Sequence, residues 1–317
     1  MIEIVKMASG RTWHNLKEKQ AERIKLYLLK KGGEEEEVKN PNERWRIRLF
    51  NSTFTYYPNG TLYSSPPHSS ENDILTVYQA IEKIAGPRYE LPDREFLLGF
   101  DETGKGEIIG PIVLTGVLFP AALFSKVDAI VGLANTKKRH NLNYWERTFT
   151  QLSLLKEEGF SYIVEEIPPD QLSGNNLNRL LDKGYKKIIN LFLKGILKER
   201  GNLARYRLVL DDYGVGGKFQ QFLQSLQRKE GKVIITPNAD EKYLEVKVAS
   251  IIAKRFREKI IKRIKENPKY QIGGLTIGSG NSADKTTKEW LKKWWETYKN
   301  FPWFVKKSFK PVKGMGG

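Results

Sequence analysis

The chain has 317 residues, of which 39% are hydrophobic and 11% aromatic, so it has enough apolar side chains for a packed core and is not a mainly disordered protein. It has no cysteine, which excludes disulfides, thiolate metal sites and cysteine nucleophiles and leaves oxygen or imidazole to bind any metal. The formal net charge is +17, and residues 241–317 carry 19 basic against 7 acidic side chains, which favours nucleic acid as the partner over an anionic membrane surface or a merely solvating tail.

An amphipathic helix and a β-hairpin are predicted near the start of the chain. Residues 13–31 place apolar side chains at helical spacing among charged ones, and the pair Gly32-Gly33 ends the pattern. An acidic loop is predicted for residues 34–37. Two β-rich stretches follow, and the Pro-Asn-Gly turn at residues 58–60 predicts two strands that fold back on each other.

A second helix and a linker complete the amino-terminal part. The helix is predicted to begin after Ser69 or Ser70, and the two prolines and mixed charges of residues 86–95 predict a linker. Because the chain exceeds the size of one ordinary domain, we expect a small α+β sheet module at residues 1–88 and a larger domain at residues 89–317. We find neither a secretory signal nor a run of roughly 20 apolar residues, so we expect a cytoplasmic protein that does not bind membranes.

Beyond the linker, long apolar runs alternate with helical patterns. Such runs are typical of buried strands, and their alternation with helices predicts an α/β fold in which helices cover a sheet. The predicted strands are residues 96–100, 112–119, 161–167, 206–211 and 232–237. The predicted helices are residues 144–157, 177–198, 217–228, 241–266 and 285–298.

Acidic residues stand where several of these strands are predicted to end. Asp101 and Glu102 follow the first apolar run, Asp211 ends another, and Asp240 comes shortly after the last. Acids at such places need cations or hydrogen-bond donors to compensate their desolvation, and α/β proteins commonly build their sites at strand carboxyl ends. Taken alone, Asp240 could equally cap a helix. Asp212 is an alternative to Asp211, which we prefer because it directly follows the apolar run.

The acids together predict a metal site. Several carboxylates at one edge of a sheet cannot all ionise without a counter-cation, and oxygen ligands favour Mg²⁺ or Mn²⁺ over Zn²⁺. His14, His68 and His140 are too far apart in sequence to suggest a ligand set. Four acids holding two metal ions about 3.5–4 Å apart are suited to the in-line attack of water on a phosphodiester, so phosphoryl-transfer chemistry is predicted.

A glycine-rich turn, Gly104-Lys105-Gly106, follows Glu102 closely. It lacks the spacing of a nucleotide-binding P-loop, which disfavours an NTPase. Its glycines would let the backbone approach a sugar and a phosphate, while Lys105 adds positive charge. Because a protein that distinguishes RNA from DNA must contact the 2′-hydroxyl, this turn is a candidate for that contact.

In combination these segments resemble the type 2 ribonucleases H. DETGKGEIIGPIVLTGV looks like the family's first active-site segment, and its GKG form is that of ribonuclease HIII. The resemblance implies a ribonuclease H-like mixed sheet flanked by helices, and the hairpin module, which resembles the TATA-binding-protein fold, also favours ribonuclease HIII. Four further blocks resemble family elements in the same order: NTKKRH, NNLNRLL, LVLDDYG and ADEKYLEVKVASIIAKR.

The resemblance implies an activity. The protein is expected to be an endoribonuclease that hydrolyses the RNA strand of RNA/DNA hybrids with two Mg²⁺ or Mn²⁺ ions and leaves 5′-phosphate and 3′-hydroxyl ends. The turn residues Gly104, Lys105 and Gly106 are implied to bind the substrate's ribose. Four carboxylates are implied to be both the metal ligands and the catalytic residues: Asp101, Glu102, Asp211 and Asp240.

Some positions are less clear or depart from the family's pattern. Lys137, Ser250 and Lys254 are implied to contact phosphate or to support the site. The dipeptide Asn135-Thr136 stands where the family has Asp-Ser, which puts the role of that loop in doubt. Tyr185 stands at the family's histidine position, so no catalytic role is expected for it.

The partner is expected to be an RNA/DNA hybrid bound by a monomer without an obligate protein partner. In the amino-terminal module, Arg46, Arg48, Tyr56 and Tyr57 are predicted to grip the duplex, although the aromatic residues could instead form the module's core. Two alternatives stay open. One is ribonuclease HII-like activity at single embedded ribonucleotides, and the other is a non-catalytic hybrid-binding protein.

Overall fold

The computed structural model describes residues 10–14, 16–66, 71–86, 88–131, 140–200, 205–227 and 231–314. The chain divides into two compact units, Met1–Leu91 and Pro92–Gly317. In the part of the chain that is described, no helix is both long and apolar enough to cross a membrane.

The first unit is an antiparallel sheet with two helices. Its described strands follow the order β1-β5-β4-β3-β2 across the sheet. The turn at residues 58–60 joins β4 to β5 as predicted, with Gly60 in the left-handed conformation at φ 78°. The elements in chain order are β1 (Arg11–Trp13), α1 (Glu18–Lys30), β2 (Glu34–Glu36), β3 (Trp45–Leu49), β4 (Ser52–Tyr56), β5 (Leu62–Ser64) and α2 (Glu71–Ala85).

Side-chain alternation gives this sheet one apolar and one polar face. Alternate residues of β3, β4 and β5 form one buried cluster with the apolar sides of α1 and α2. The predicted acidic loop at residues 34–37 is wrong, because Glu34–Glu36 forms the edge strand β2. Two of its three glutamates lie opposite arginines, with Glu34 paired to Arg48 and Glu36 to Arg46, and opposite charges across two strands stabilise the pairing.

The second unit contains a mixed sheet covered by helices. Its strands are β6 (Phe96–Thr103), β7 (Ile112–Pro120), β8 (Ser161–Ile167), β9 (Tyr206–Asp211) and β10 (Gly231–Thr236). Its helices are α3 (Phe124–Val131), α4 (Leu142–Ser153), α5 (Leu177–Arg200), α6 (Gly217–Gln227), α7 (Ala239–Lys242), α8 (Leu244–Glu266), α9 (Lys285–Tyr298) and α10 (Lys310–Lys313). The helix predicted for residues 241–266 is interrupted, because Tyr243 has an extended backbone that separates α7 from α8.

The strand order within the described residues is β10-β9-β6-β7-β8. Strands β6, β9 and β10 run parallel, whereas β7 and β8 are antiparallel to their neighbours. The carboxyl ends of β6, β9 and β10 therefore lie along one edge of the sheet. All five strands correspond to the apolar runs of the sequence, and the acids that end those runs come together at that edge.

The two faces of β6 contact different helices, because successive side chains point to opposite sides of a strand. Phe100 packs edge-on against Tyr185 of α5, with ring centroids 5.9 Å apart. Gly99 faces α8, and a Cβ there would lie 2.1 Å from the carbonyl carbon of Glu245. Only glycine therefore lets α8 approach the sheet this closely.

A separate apolar cluster joins the carboxyl-terminal segment to the residues that follow the glycine turn. It contains Trp290 and Trp294 of α9 together with Ile108 and Ile109. Trp303 differs, because 57% of its surface is exposed. The basic last quarter of the chain thus contributes a core of its own, and its tryptophans divide between that core and the surface.

Candidate active site

Asp101, Glu102 and Asp211 lie at the carboxyl ends of two neighbouring parallel strands. Asp101 and Glu102 are in the last three residues of β6, and Asp211 is the last residue of β9. In the strand register Phe100 is opposite Leu210, so the next residues along, Asp101 and Asp211, are neighbours across the sheet. The sequence places these acids here because each directly follows an apolar run that the core buries.

Asp101 and Glu102 are held by different helices. Asp101 faces α8 and forms a hydrogen bond with the Ser250 hydroxyl, while its Oδ1 accepts from the Glu102 backbone N–H at 2.8 Å. Glu102 faces α5, where the Tyr185 hydroxyl donates to its Oε2 at 2.5 Å. The alternation along β6 thus continues through the two acids, and each has a separate support.

The third and fourth carboxylates are linked through the backbone. Asp211 Oδ1 accepts a hydrogen bond from the Ala239 N–H at 2.7 Å. The preceding residue, Asn238, has a left-handed backbone with φ 53°, which turns the chain from β10 into α7. Asp240 is the next residue of α7 and is buried. The bond from Ala239 therefore places Asp240 close to Asp211.

The charges of the four acids act on one another. The pKa of Asp101 is raised to about 8, first by burial and then by Glu102 and Asp211, against Ser250 and Lys254, which lower it. Burial also raises the pKa of Asp211, and the Glu102 and Asp240 carboxylates add to the rise. The site therefore concentrates more negative charge than its own surroundings neutralise.

Three lysines partly balance this charge. Lys105 Nζ lies 2.9 Å from a Glu102 oxygen, and Lys247 Nζ lies 3.3 Å from Asp240 Oδ2. Lys254 donates to Ser250 Oγ at 3.3 Å. Burial lowers the pKa of Lys254, whereas the Asp101 and Asp240 carboxylates raise it. Each of the three lysines therefore interacts electrostatically with at least one of the four acids.

The donor set has the chemistry of a site for hard divalent cations, because it consists of carboxylate oxygens with excess negative charge. Among the residues that the structure describes, no group of three or more acids or histidines is close enough to hold a metal ion with its side chains as they stand. The reason lies in the contacts above. Glu102 and Asp240 each turn an oxygen towards a lysine, and Asp101 and Glu102 leave opposite faces of β6. The residues fit a hard divalent cation, and binding would require Glu102 and Asp240 to exchange their lysine contacts for the metal.

The glycine turn follows β6 immediately. Gly104 has φ 95°, and a Cβ on it would lie 2.6 Å from the Pro111 carbonyl oxygen, so this position accepts only glycine. A Cβ on Gly106 would meet nothing within 4 Å, so that residue borders open space. Lys105 lies between them and reaches back to Glu102. The turn is therefore fixed on its inner side and accessible on its outer side.

The structure separates the remaining predicted residues. Lys137 lies outside the described residues. Ser250 is buried under Asp101, so it supports a carboxylate and is not free to contact phosphate. Lys254 is beside it and electrostatically coupled to the acids. Asp212 is exposed, and its Oδ1 accepts from the Gly214 N–H at 2.9 Å in the following loop, whereas Asp211 is the residue joined to the other acids.

Tyr185, for which no catalytic role was expected from the sequence, donates a hydrogen bond to one of the proposed catalytic carboxylates. Besides its bond to Glu102, its ring stacks on Tyr213 with centroids 5.4 Å apart. The Tyr213 hydroxyl donates to Asp182 Oδ1 at 2.7 Å. The signal in the sequence is a tyrosine on the buried side of a predicted helix, because a buried hydroxyl requires a polar partner. A strand-end carboxylate was the partner available.

The predicted grip of the first unit is only partly compatible with the structure. Tyr56 is 5% exposed and stacks on Trp45, so it belongs to the core and its predicted contact with a duplex is wrong. Arg46 lies 3.6 Å from Glu36 and 3.2 Å from Glu43, which engages its guanidinium. The side chain of Arg48 is 59% exposed. Tyr57 follows β4 and is half-buried.

The polar face of this sheet carries a tyrosine that the prediction omitted. Arg46, Thr55 and Tyr63 lie opposite one another across β3, β4 and β5 and point away from the helices. Tyr63 is 39% exposed. The alternation of Leu62 inside and Tyr63 outside could have identified it, whereas Tyr56 stands opposite Leu62 on the inner face.

Known proteins share both the sequence and the fold of the second unit. Residues 98–312 match the family model of ribonuclease HII. The chain is 32% identical over 224 residues to ribonuclease HII of Methanobrevibacter smithii. The matched residues cover 69% of this chain and 97% of that relative. The solved structure of ribonuclease H2 from Pyrococcus horikoshii OT3 superposes with a TM-score of 0.55 and 25% identity, over 70% of this chain and 97% of the other.

A further solved structure extends over nearly the whole chain. Bst-RNase HIII in complex with Mn²⁺ superposes with a TM-score of 0.52 and 15% identity, and the match covers 97% of this chain and 98% of the other. At that identity the likeness concerns the fold alone. The α/β fold with a mixed sheet flanked by helices is confirmed by these structures.

Proposed function

Since the chain belongs to the ribonuclease HII family, and is therefore a hydrolase of the ribonuclease H type, we propose that it cuts the RNA strand of RNA/DNA hybrids by metal-dependent catalysis. The observation that carries this proposal is the meeting of four carboxylates at one edge of the sheet, where burial and mutual repulsion raise the pKa of Asp101 to about 8. A protein that only bound a polyanion would gain nothing from such a concentration of negative charge.

The four carboxylates would hold two Mg²⁺ or Mn²⁺ ions. Bound ions at such a site supply Lewis acidity for the attack of water and for the departure of the 3′-oxygen. Cleavage in this way leaves 5′-phosphate and 3′-hydroxyl ends. The proposed ligands are Asp101, Glu102, Asp211 and Asp240.

The chain's own residues orient these ligands and the substrate. The Ser250 hydroxyl, the Tyr185 hydroxyl and the Ala239 N–H each fix one carboxylate, which limits the reorganisation needed during the reaction. Lys105 and Lys254 bring positive charge to the place where a scissile phosphate would lie. The backbone of the Gly104–Gly106 turn would approach the ribose and its 2′-hydroxyl.

We propose further that the enzyme has the substrate preference of a ribonuclease HIII. The GKG form of the turn and the presence of the amino-terminal unit support this assignment over a ribonuclease HII-like preference for single embedded ribonucleotides. The polar face of that unit, with Arg48 and Tyr63 exposed, is proposed to contact the hybrid's backbone.

Cleavage of three labelled duplexes of one sequence tests the function: a uniform RNA/DNA hybrid, a DNA duplex with one ribonucleotide, and an all-DNA duplex. With Mg²⁺ or Mn²⁺ the hybrid should be cut in its RNA strand at several places, and the fragments should carry 5′-phosphates. Faster cutting at the single ribonucleotide would support the ribonuclease HII-like alternative. Tight hybrid binding without any cutting would refute the enzyme and leave a binding protein.

Removing the Tyr185 hydroxyl should weaken the site without emptying it. In Tyr185→Phe the ring packing persists but Glu102 loses its donor, so we expect the rate or the apparent metal affinity to fall by about 10- to 100-fold. Isothermal calorimetry of Mn²⁺ binding and kcat at saturating metal would separate the two effects. Tyr213→Phe is the matched control, since its hydroxyl binds Asp182. Equal effects in both variants would contradict a specific role for Tyr185.

The role of the first unit's polar face can be tested by its salt dependence. Arg48→Gln removes one exposed positive charge, and we expect the dissociation constant for the hybrid to rise about fivefold and the slope of log K against log salt to fall by about one. Arg23→Gln on α1, an equally conservative loss of an exposed arginine, should leave both unchanged. Identical slopes for the two variants would show that the polar face does not touch phosphate.

A further inference from the structure

A buried lysine lies behind the glycine turn, and no catalytic step proposed above uses it. Lys306 has 0% of its surface exposed. Its ammonium group donates hydrogen bonds to the backbone carbonyl of Gly104 and, at 2.8 Å, to that of Glu107. These two carbonyls bracket Lys105 and Gly106. One side chain from the end of the chain thus spans both ends of the turn.

The backbone around Lys306 is tied to the residues just beyond the turn. Its N–H donates to the Ile108 carbonyl at 2.9 Å, and the Gly110 N–H donates to the Phe304 carbonyl at 2.8 Å. Between these bonds Val305 forms a β-bridge with Ile109, and both are buried. The segment is therefore anchored on its apolar side, and the lysine side chain extends from it under the turn.

Burial of this amine is unfavourable unless hydrogen bonds compensate it. Burial and the neighbouring Arg257 lower the pKa of Lys306 to about 7, while Glu107 opposes the shift. Arg257 is itself engaged, since its Nη2 donates to the Ile109 carbonyl at 3.2 Å. An apolar side chain would fill the same space without this penalty. The contacts that compensate the lysine are the two carbonyls of the turn.

The conformation that these bonds hold is the one that a ligand would meet. Gly104 has its left-handed backbone closed in by Pro111, so the turn cannot relax inward. Gly106 faces open space on the other side. The peptide that carries the Gly104 carbonyl also carries the Lys105 N–H, so holding that carbonyl fixes the direction of this N–H. At the other end of the turn, the Ile108 N–H, in the same peptide as the Glu107 carbonyl, donates to the Gly280 carbonyl at 2.8 Å and is fixed as well.

We propose that Lys306 is a positioning residue that holds the Gly104–Glu107 turn in the geometry needed to contact a ribose, and that it thereby sets the preference for a hybrid over DNA. The inference rests on the proposed function and deepens it, since it assigns part of the substrate selectivity to a residue about 200 positions away in sequence. Lys306 acts through the turn and does not itself contact the substrate.

Selectivity of binding tests this role better than activity alone. The dissociation constants for an RNA/DNA hybrid and for a DNA duplex of the same sequence would be measured in EDTA by anisotropy, and kcat and KM for the hybrid with Mg²⁺. In Lys306→Met we expect hybrid affinity to fall about tenfold, as for the loss of one hydrogen bond between the turn's backbone and the ribose, with DNA affinity changed less than about twofold. Lys307→Met is the matched control, because Lys307 is the next residue along the chain and its side chain is exposed.

The outcomes distinguish the inference from the function on which it rests. If folded Lys306→Met keeps the wild-type ratio of hybrid to DNA affinity, or loses both affinities equally, the proposed role is overturned. Should that variant not fold, Lys306→Gln is measured instead, because its side chain stays polar but is too short to span both carbonyls: a reduced ratio supports the role, and the wild-type ratio overturns it. Wild-type protein that neither cuts nor prefers hybrids would refute the proposed function itself.

Discussion

Replacing Asp211 by asparagine is expected to reduce hybrid cleavage at least about a thousandfold while hybrid affinity changes little, because several kcal/mol of charge stabilisation in the transition state depend on this carboxylate. The substitution is conservative in shape. An amide oxygen can still accept the 2.7 Å hydrogen bond from the Ala239 N–H, so the link between β9 and α7 should persist. The change removes the negative charge that acts on Glu102 and Asp240.

The adjacent acid provides a control of the same chemistry. Asp212→Asn alters an exposed side chain whose Oδ1 bonds to the Gly214 N–H in the loop, so its cleavage rate should stay within about twofold of wild type. Rates would be compared at saturating Mg²⁺ and Mn²⁺, with circular dichroism as a check of folding. If Asp212→Asn were inactive and Asp211→Asn active, Asp212 would be the metal ligand and Asp211 would not. Full activity in both variants would remove the basis of the proposed metal site.

The core of the second unit could be predicted because local pattern and tertiary environment agree. Strands β6 and β9 are buried on both faces, as expected for central strands, and their acids directly follow the buried residues. Parallel pairing then brings those ends together. The resemblance to the type 2 ribonucleases H, which was based on the segments that carry these acids, is confirmed by the match of residues 98–312.

Other features depend on partners far away in sequence, and local pattern does not contain them. Four glutamates in a row suggest a solvated loop, but three of them form the strand β2, in which Glu34 and Glu36 lie opposite arginines of β3. Alternation can assign Tyr56 and Tyr63 to opposite faces, but the packing of Tyr56 on Trp45 depends on the register of β3 with β4. The role of Lys306 requires knowing that residues 304–306 lie against residues 108–110.

The attachment of α8 to β6 explains how one helix serves the whole site. Glu245 lies over Gly99, Ser250 bonds to Asp101, and Arg257 approaches Gly104. Helix and strand therefore run alongside each other in the same direction. Twelve helical residues rise about 18 Å and five strand residues about 17 Å, so the two elements stay in step over this length. Anything that loosens the start of α8 should therefore affect the site further along.

The start of α8 is held by a buried ion pair, whose loss should have the largest effect on stability. Arg207 donates from Nε and Nη2 to Glu245 at 2.7 and 3.1 Å, and both side chains are almost fully buried. Removing Arg207 alone, as in Arg207→Met, leaves a buried carboxylate without its partner. We expect the free energy of unfolding to fall by about 3–5 kcal/mol, measured by urea denaturation.

A double variant of the same pair tests whether the loss of stability comes from the unpaired buried charge. Burial raises the pKa of Glu245 even though Arg207 opposes the shift by hydrogen bonding and charge, so desolvation is the larger effect on this carboxyl. Apolar residues of similar volume often replace such a buried pair at little cost. The double variant Arg207→Met with Glu245→Leu should therefore recover most of the lost stability. Lys232→Met, which breaks a partly exposed 2.5 Å pair with Asp93, should lose no more than about 1 kcal/mol. A double variant as unstable as the single one would show that the charges contribute net stability, and that α8 depends on them.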